Sequence, residues 1–150
     1  MFAVIRIRGN ARIRGDIKST LSMLNVNAPN NCSIIPETES YKGMLQAAKD
    51  ACTWGEIEEK TLVELLKKRL RLPGNKKVDG KILKEMKFDS FEKIAKNMME
   101  AKFKMKDNGF QHNFRLTPPS KGFKSVKLSY PKGDLGYRGK EINKLLERMM

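Results

Sequence analysis

The sequence predicts an α+β protein, with β-α-β-α-β order in residues 1–57 and a helical, basic extension in residues 58–150. Three observations support this prediction. Short β-prone segments alternate with two segments of helical apolar spacing before residue 58. Leucine-rich, lysine-rich helical segments follow. Five glycines and three prolines then interrupt a basic arm from Lys102 to Lys140. We expect core and extension to pack together as one domain.

The first predicted strand spans residues 2–8, where apolar and other residues alternate. Ala3, Ile5 and Ile7 share one face of this strand, and arginines stand on the other. A period of two is typical of a strand in a sheet that is covered on one face only.

The loop after this strand carries Arg12 and Arg14 between Gly9 and Gly15. Backbone amides and guanidinium groups at a strand–helix junction can bind a phosphate. An ordinary connection with solvated arginines explains the same residues, and the sequence leaves both interpretations open.

Two helices and two further strands complete the core. Asp16 is predicted to cap the first helix, and Ser40 the second, which spans residues 41–52. The remaining strands are predicted at residues 32–35 and 53–57. Both helices would then lie on one face of a small sheet, and Trp54 would be packed rather than exposed.

Helices are predicted in the extension at residues 58–72, 79–87, 89–101 and 140–150, from their apolar residues at helical spacing. These apolar stripes are interpreted as core. The basic segment 67–77 is either a solvated helix end or a second phosphate-facing patch.

The arm from Lys102 to Lys140 holds ten Lys/Arg, two Asp and six aromatic residues. Lysine and arginine displace counterions from phosphates, and flat rings stack on exposed bases, so this composition indicates RNA contact. The alternative is a solvated loop whose aromatic residues pack into the domain. Because the composition buries little, we expect the arm to be disordered without RNA. The candidate RNA-binding residues of the arm are Arg115, Lys121, Lys124, Lys127, Lys132 and Arg138.

The net charge of +14 indicates a polyanionic partner, such as nucleic acid, an anionic membrane or an acidic protein. Residues 1–56 contribute +2 and residues 57–150 contribute +12. No apolar run approaches the roughly 20 residues of a spanning helix, which argues against a membrane. The N-terminus lacks the apolar region of a signal peptide, so we expect a cytoplasmic protein.

The composition also argues against catalysis and cofactors. His112 is the single histidine, Cys32 and Cys52 form no CxxC pair, and a zinc site is therefore not expected. Both cysteines are predicted to be small buried hydrophobic residues. Neither a GxSxG elbow nor a complete phosphate-binding loop is present, so we expect no small-molecule substrate.

Several segments resemble one known family. FAVIRIRG, IKSTLSMLNV, NCSIIPETESYKGMLQAAKDACTWGEI and FRLTPPSKGF are similar to the archaeal large-subunit ribosomal proteins of universal family thirty, whose eukaryotic relative is large-subunit protein seven. Residues 1–57 resemble the core shared with the short bacterial version. Residues 58–150 resemble the archaeal and eukaryotic extension.

The resemblance implies a ferredoxin-like core, no catalysis and no cofactor. It implies a ribosome-bound structural role on large-subunit ribosomal RNA, near the 5S RNA region and beside neighbouring ribosomal proteins. Residue by residue, the family's RNA-facing positions match Arg12, Arg14, Lys18, Lys42, Arg115, Lys121 and Lys124. Two other classes are kept as alternatives: a free nucleic-acid chaperone or chromatin-like protein, and a small enzyme that acts on RNA.

Overall fold

A computed structural model describes residues 1–11, 13–78, 83, 90–100, 103, 105 and 108–150 of the chain. A five-stranded sheet of order β4-β2-β1-β3-β5 lies at its centre. β1 pairs antiparallel with β2 and β3, β2 pairs antiparallel with β4, and β5 runs parallel to β3. The strands are β1 (Phe2–Arg6), β2 (Asn31–Ile35), β3 (Cys52–Glu56), β4 (Asn113–Arg115) and β5 (Gly136–Tyr137). The predicted α+β class is confirmed.

Helices cover both faces of the sheet. They are α1 (Gly15–Met23), α2 (Glu39–Ala47), α3 (Glu59–Arg69), α4 (Phe91–Met99) and α5 (Ile142–Met149), with a 3-10 turn at Gly139–Glu141 before α5. α1 and α2 share one apolar cluster with the sheet, as predicted, and α3, α4 and α5 share a second cluster with its other face. No helix in the described ranges is long and apolar enough to cross a bilayer.

The prediction of a half-covered sheet was wrong. Phe2 and Val4 pack on the side of α1 and α2, and Ala3 and Ile5 pack on the side of α3, so every residue of β1 is buried. The alternation of residues along a strand does not show whether the second face of the sheet meets solvent or a second layer of helices. Here the extension supplies a second layer of helices.

Both predicted caps of the core helices were displaced by two residues. Arg14, not Asp16, occupies the N-cap of α1, and Asp16 lies in the first turn, where a carboxylate is favourable to the helix dipole. Thr38, not Ser40, caps α2, because its hydroxyl accepts a hydrogen bond of 3.4 Å from the amide of Tyr41. α2 ends five residues earlier than predicted, since Cys52 already belongs to β3.

In the extension, α3 and α4 correspond to the predictions at 58–72 and 89–101, with shorter ends. Ser90 caps α4 by accepting a hydrogen bond of 3.3 Å from the amide of Lys93. The predicted helix at 79–87 lies outside the described residues, apart from Leu83, which is buried.

The expectation of a disordered arm is corrected for the described residues from 108 onward. β4 and β5 form the two edges of the sheet, and four large apolar side chains between residues 110 and 135 are buried. These side chains are Phe110, Phe114, Leu116 and Leu135. The composition was misleading because a few well-placed apolar residues anchor a long, mostly polar segment. Tyr130 and Tyr137 are the exposed rings of the arm.

Candidate nucleic-acid interface

The sheet has two chemically different ends. β1 and β4 finish at one end, where β2, β3 and β5 begin, as their pairing registers require. α3 also finishes at this end, because the guanidinium of Arg69 lies 3.4 Å from the hydroxyl of Thr117, just after β4. We call this the basic end. The opposite end, where α2, α3 and α5 begin, is called the acidic end.

Connections at the basic end carry an excess of cations. These cations lie on the connections after β1 and β4, on the connection before β5 and at the end of α3. They are Arg8, Arg14, Lys67, Lys68, Arg69, Arg71, Arg115, Lys121, Lys124, Lys127 and Lys132. Carboxylates are concentrated at the other end, on the connections after β2, β3 and β5. These are Glu37, Glu39, Glu56, Glu58, Glu59 and Glu141. Asp16, Asp50 and Asp134 at the basic end and Lys42, Lys60 and Lys140 at the acidic end reduce this contrast. In the described part of the chain, the connections nevertheless remain net positive at the basic end and net negative at the acidic end.

A first loop, residues 117–123, is fastened to the end of α5 by Arg148. The Arg148 guanidinium donates to the carbonyl of Ser120 at 2.6 Å and 2.9 Å, and to that of Gly122 at 2.7 Å. Lys121 lies between these carbonyls with a φ of +67°, which turns the backbone sharply and leaves its side chain exposed. Sequence reasoning missed Arg148, because no local pattern links residues 28 positions apart.

A second loop, residues 124–134, is gathered by the buried carboxylate of Asp134. This carboxylate accepts hydrogen bonds from the amides of Lys124 and Ser125, and from the guanidinium of Arg138 at 2.5 Å. Burial alone would raise the pKa of Asp134, but the bonds from Arg138, Ser125 and Lys124 outweigh it and hold the pKa below its ordinary value. Asp134 thus stays ionised and holds the loop closed.

Five predicted residues of the arm are exposed cations: Arg115, Lys121, Lys124, Lys127 and Lys132. Among the residues that the structure describes, none of the five has an acidic partner within ion-pair distance. Their charge is available to a ligand.

Arg138, also predicted as an RNA contact, has a different position. Its side chain is 8% exposed, pairs with Asp134, and lies over the ring of Tyr130 at 5.2 Å. Arg138 therefore positions the second loop from inside.

Of the predicted residues of the core that the structure describes, Arg14 and Lys18 lie one turn apart at the start of α1, where the amide of Lys18 donates to the carbonyl of Arg14 at 3.0 Å, and Lys42 lies at the other end of the sheet. Arg12 lies outside the described residues. Arg14 is highly exposed and pairs with Asp16 at 2.9 Å, and Lys18 is exposed one turn into α1. Lys42 stands at the acidic end, where Glu37 and Glu39 lie 3.2 Å and 3.4 Å from its ammonium.

Arg6 is a buried cation that the sequence pattern placed on an open face. It is 1% exposed, and its guanidinium donates to the carbonyls of Arg8, Val26 and Asn27 and to the amide oxygen of Asn10. These four bonds of 2.6–3.2 Å join the connections on both sides of α1. Arg6 fixes the backbone of the basic end without facing a ligand.

The cysteines are buried and free, as predicted, and burial raises the pKa of the Cys52 thiol to about 12. Within the described ranges, no three His, Cys, Asp or Glu side chains are grouped as metal ligands.

Fold and charge together define a class: a small, basic α+β protein with a candidate polyanion-binding end. Residues 2–51 match the model of the family described as ribosomal protein L30p/L7e. Three relatives are each named large ribosomal subunit protein uL30. That of Nanoarchaeum equitans is 49% identical, over 99% of this chain and 97% of the relative. That of Methanosphaera stadtmanae is 47% identical over the whole of both chains, and that of Archaeoglobus fulgidus is 46% identical over 99% of each.

The chain belongs to the uL30 family of large ribosomal subunit proteins. The resemblance seen in its sequence segments is thereby confirmed over the full length.

Proposed function

We propose that this protein is a structural constituent of the large ribosomal subunit that binds large-subunit ribosomal RNA with its basic end. The observation that carries the proposal is the separation of charge along the strands in the described part of the chain, with exposed lysines and Arg115 at one end and carboxylates at the other. RNA presents a dense row of phosphates, so the basic end attracts it and the acidic end repels it.

Binding works by charge neutralisation on a rigid support. Arg115 stands on an edge strand, and Lys121 and Lys124 stand on loops fastened by Arg148 and Asp134. Because these loops are already ordered, little conformational entropy is lost when phosphates are bound. Phosphate contacts of this kind fix the position and orientation of a protein on RNA and do not read its sequence.

The wider setting follows from the family. The relatives carry the name of a large-subunit protein, which supports a cytoplasmic, ribosome-bound protein with neighbouring ribosomal proteins. A position near the 5S RNA region is proposed from the resemblance of the sequence segments alone. We propose no catalytic role and no cofactor. We also propose that residues 1–57 and 58–150 act as one domain, because β4 and β5 of the extension complete the sheet of the core.

Replacing Arg115, Lys121 and Lys124 together by glutamate tests the proposal. We expect weaker binding to large-subunit ribosomal RNA in a filter-binding titration, and a salt slope lower by about 2–3, since each phosphate contact contributes about 0.7–0.9. The matched control replaces Lys60, Lys140 and Lys144 by glutamate, which changes the net charge equally at the acidic end. Equal affinity of the two triple variants would contradict the proposal.

A free nucleic-acid chaperone or chromatin-like protein would share the positive charge. It would bind many duplexes with similar affinity and sediment apart from ribosomes. Sucrose-gradient fractionation of gently lysed cells separates the two functions, because a subunit constituent sediments with large subunits.

A further inference from the structure

The second loop presents an unusual group of exposed apolar side chains. Val126, Leu128 and Tyr130 are 42%, 52% and 39% exposed. They make up half of the large hydrophobic residues that are exposed in the described part of the chain, yet they lie within five consecutive positions. Clustered exposed apolar residues indicate a binding surface, whereas scattered ones need no explanation.

One face of the Tyr130 ring is covered by Arg138, which holds the ring in place. The Arg138 guanidinium lies over the ring at 5.2 Å, a cation–π contact, and the buried Asp134 carboxylate fixes that guanidinium at 2.5 Å. The amide of Tyr130 donates to the carbonyl of Leu135 at 2.8 Å, which ties the ring's backbone to the residue before β5. An aromatic ring on so fixed a support can bind a planar partner at little entropic cost.

Cations surround this apolar patch. The ammonium of Lys124 donates to the carbonyl of Pro131 at 3.2 Å, directly beside Tyr130, and Lys127 and Lys132 are exposed in the same loop. An apolar, ring-bearing surface with ammonium groups at its border complements one nucleotide, whose base is flat and apolar on its faces and whose phosphate is anionic. Phosphate contacts alone would not require the exposed Tyr130, Val126 and Leu128.

We infer that Tyr130, flanked by Val126 and Leu128, is a stacking site for one unpaired nucleobase of the bound RNA. The inference rests on the proposed function and deepens it, because it adds contact with a base to contact with phosphates. The base lies against the Tyr130 ring, and Lys124, Lys127 and Lys132 hold the adjacent phosphates. Every base has a flat face, so the site selects an unpaired nucleotide and not a particular base.

Two variants of one residue test the inference. Tyr130→Leu removes the ring and keeps an apolar side chain, whereas Tyr130→Phe keeps the ring. We expect Tyr130→Leu to weaken binding to large-subunit ribosomal RNA by roughly 5- to 150-fold, the range that loss of one base–aromatic stack gives. Tyr130→Phe should bind like the unmodified protein. Both variants should keep its salt slope, since no phosphate contact is removed.

A second measurement does not depend on the folding of a variant. Ultraviolet crosslinking of the unmodified protein to large-subunit ribosomal RNA, followed by mapping of both partners, should join residues 126–130 to a nucleotide that is unpaired in the RNA. A crosslink from this loop to a base-paired nucleotide would overturn the inference, as would equal affinity of Tyr130→Leu and Tyr130→Phe.

The outcomes also separate the two proposals. If the unmodified protein does not bind the RNA at all, the proposed function and this inference both fail. If it binds and Tyr130→Leu binds equally well, only the stacking site fails. If Tyr130→Leu impairs incorporation into subunits but not binding to naked RNA, the patch contacts a neighbouring protein and the inference is wrong.

Discussion

The Oδ1 atom of Asp134 and the Nη2 atom of Arg138 lie 2.5 Å apart, with side chains only 9% and 8% exposed. This pair joins β5 to the loop that carries Lys124, Lys127 and Lys132, because the same carboxylate accepts the amides of Lys124 and Ser125. The presentation of exposed lysines thus depends on one acid in the interior of the arm.

We expect Asp134→Ala to lower the free energy of unfolding by about 3–5 kcal/mol, because it leaves the Arg138 charge buried without a partner. Differential scanning calorimetry measures the change. The surface pair Arg14–Asp16, at 2.9 Å and with side chains 79% and 61% exposed, gives a control. Asp16→Ala should cost less than about 1 kcal/mol. Similar losses for both variants would contradict the assigned role of Asp134.

The same carboxylate should affect stability at acid pH. Its pKa in the folded protein lies below the ordinary value, although burial opposes this, owing to the bonds from Arg138, Ser125 and Lys124. A lowered pKa contributes stability that is complete above the unfolded value of about 4 and is lost as the pH falls through the folded value. The stability difference between the unmodified protein and Asp134→Asn should therefore be constant at neutral pH and shrink below pH of about 4. Urea unfolding across this range measures it, and a difference independent of pH would contradict the prediction.

Arg6 should contribute strongly to stability, because its buried guanidinium makes its hydrogen bonds within the fold. Arg6→Met removes the donor to buried carbonyls, and each buried acceptor left unsatisfied costs about 1–3 kcal/mol, so we expect a total loss of about 3 kcal/mol. Arg6→Lys should rescue little, because an ammonium cannot reproduce the planar fork of donors. The control is Arg8→Met, since Arg8 is exposed and donates one bond of 3.2 Å to the carbonyl of Asp50. Chemical denaturation of the three variants measures their free energies of unfolding, and Arg8→Met should lose the least stability.

Gly55 in β3 should tolerate no side chain. A Cβ atom there would lie 2.0 Å from the carbonyl oxygen of Gly139, and backbone cannot move aside as a flexible side chain would. We expect Gly55→Ala to cost about 3 kcal/mol, at the upper end for overpacking, and to separate β3 from the turn before α5. Gly43 in α2 has nothing within 4 Å, so Gly43→Ala should stabilise by about 0.5–1 kcal/mol. Thermal melts should show a lower melting temperature for Gly55→Ala and a higher one for Gly43→Ala.

Lys42 and Arg115 should differ in their effect on RNA binding. Lys42 lies between two glutamates at the acidic end, whereas Arg115 is exposed at the basic end. We expect Arg115→Ala to reduce the salt slope of binding by about 1, and Lys42→Ala to leave it unchanged. Filter binding at several salt concentrations measures both slopes. An equal reduction of the salt slope by the two variants would show that Lys42 also contacts phosphates, and would contradict this prediction.

The order of elements in the core was predictable because its helices have clear apolar periodicity and because α1 ends just before Asn25. β4 and β5 were not predictable, since strands of three and two residues show no period. Helix caps were displaced because the direction of chain entry decides whether Thr38 or Ser40 can reach an amide. Arg6 was assigned to an open face because its alternation with apolar residues is the same on a covered sheet.

The candidate site was predictable in its chemistry and less so in its geometry. Ten Lys/Arg against two Asp between Lys102 and Lys140, with six aromatic residues among them, indicated an arm that contacts RNA. Their fastening by Arg148 and Asp134 depends on contacts between distant or buried groups that composition does not encode. The position of Lys42 required the strand directions, because only the sheet topology decides which connections share an end.

Among the described residues, the opposed net charges at the two ends of the strands give the fold an electric dipole along the sheet. In the field of a polyanion, such a molecule experiences a torque that turns its positive pole forward while it is still diffusing. A larger share of collisions with the polyanion then begins in a productive orientation. Added salt screens the field at shorter distances, so the association rate should fall as the salt concentration rises. Alignment before contact is therefore a property of the folded chain itself.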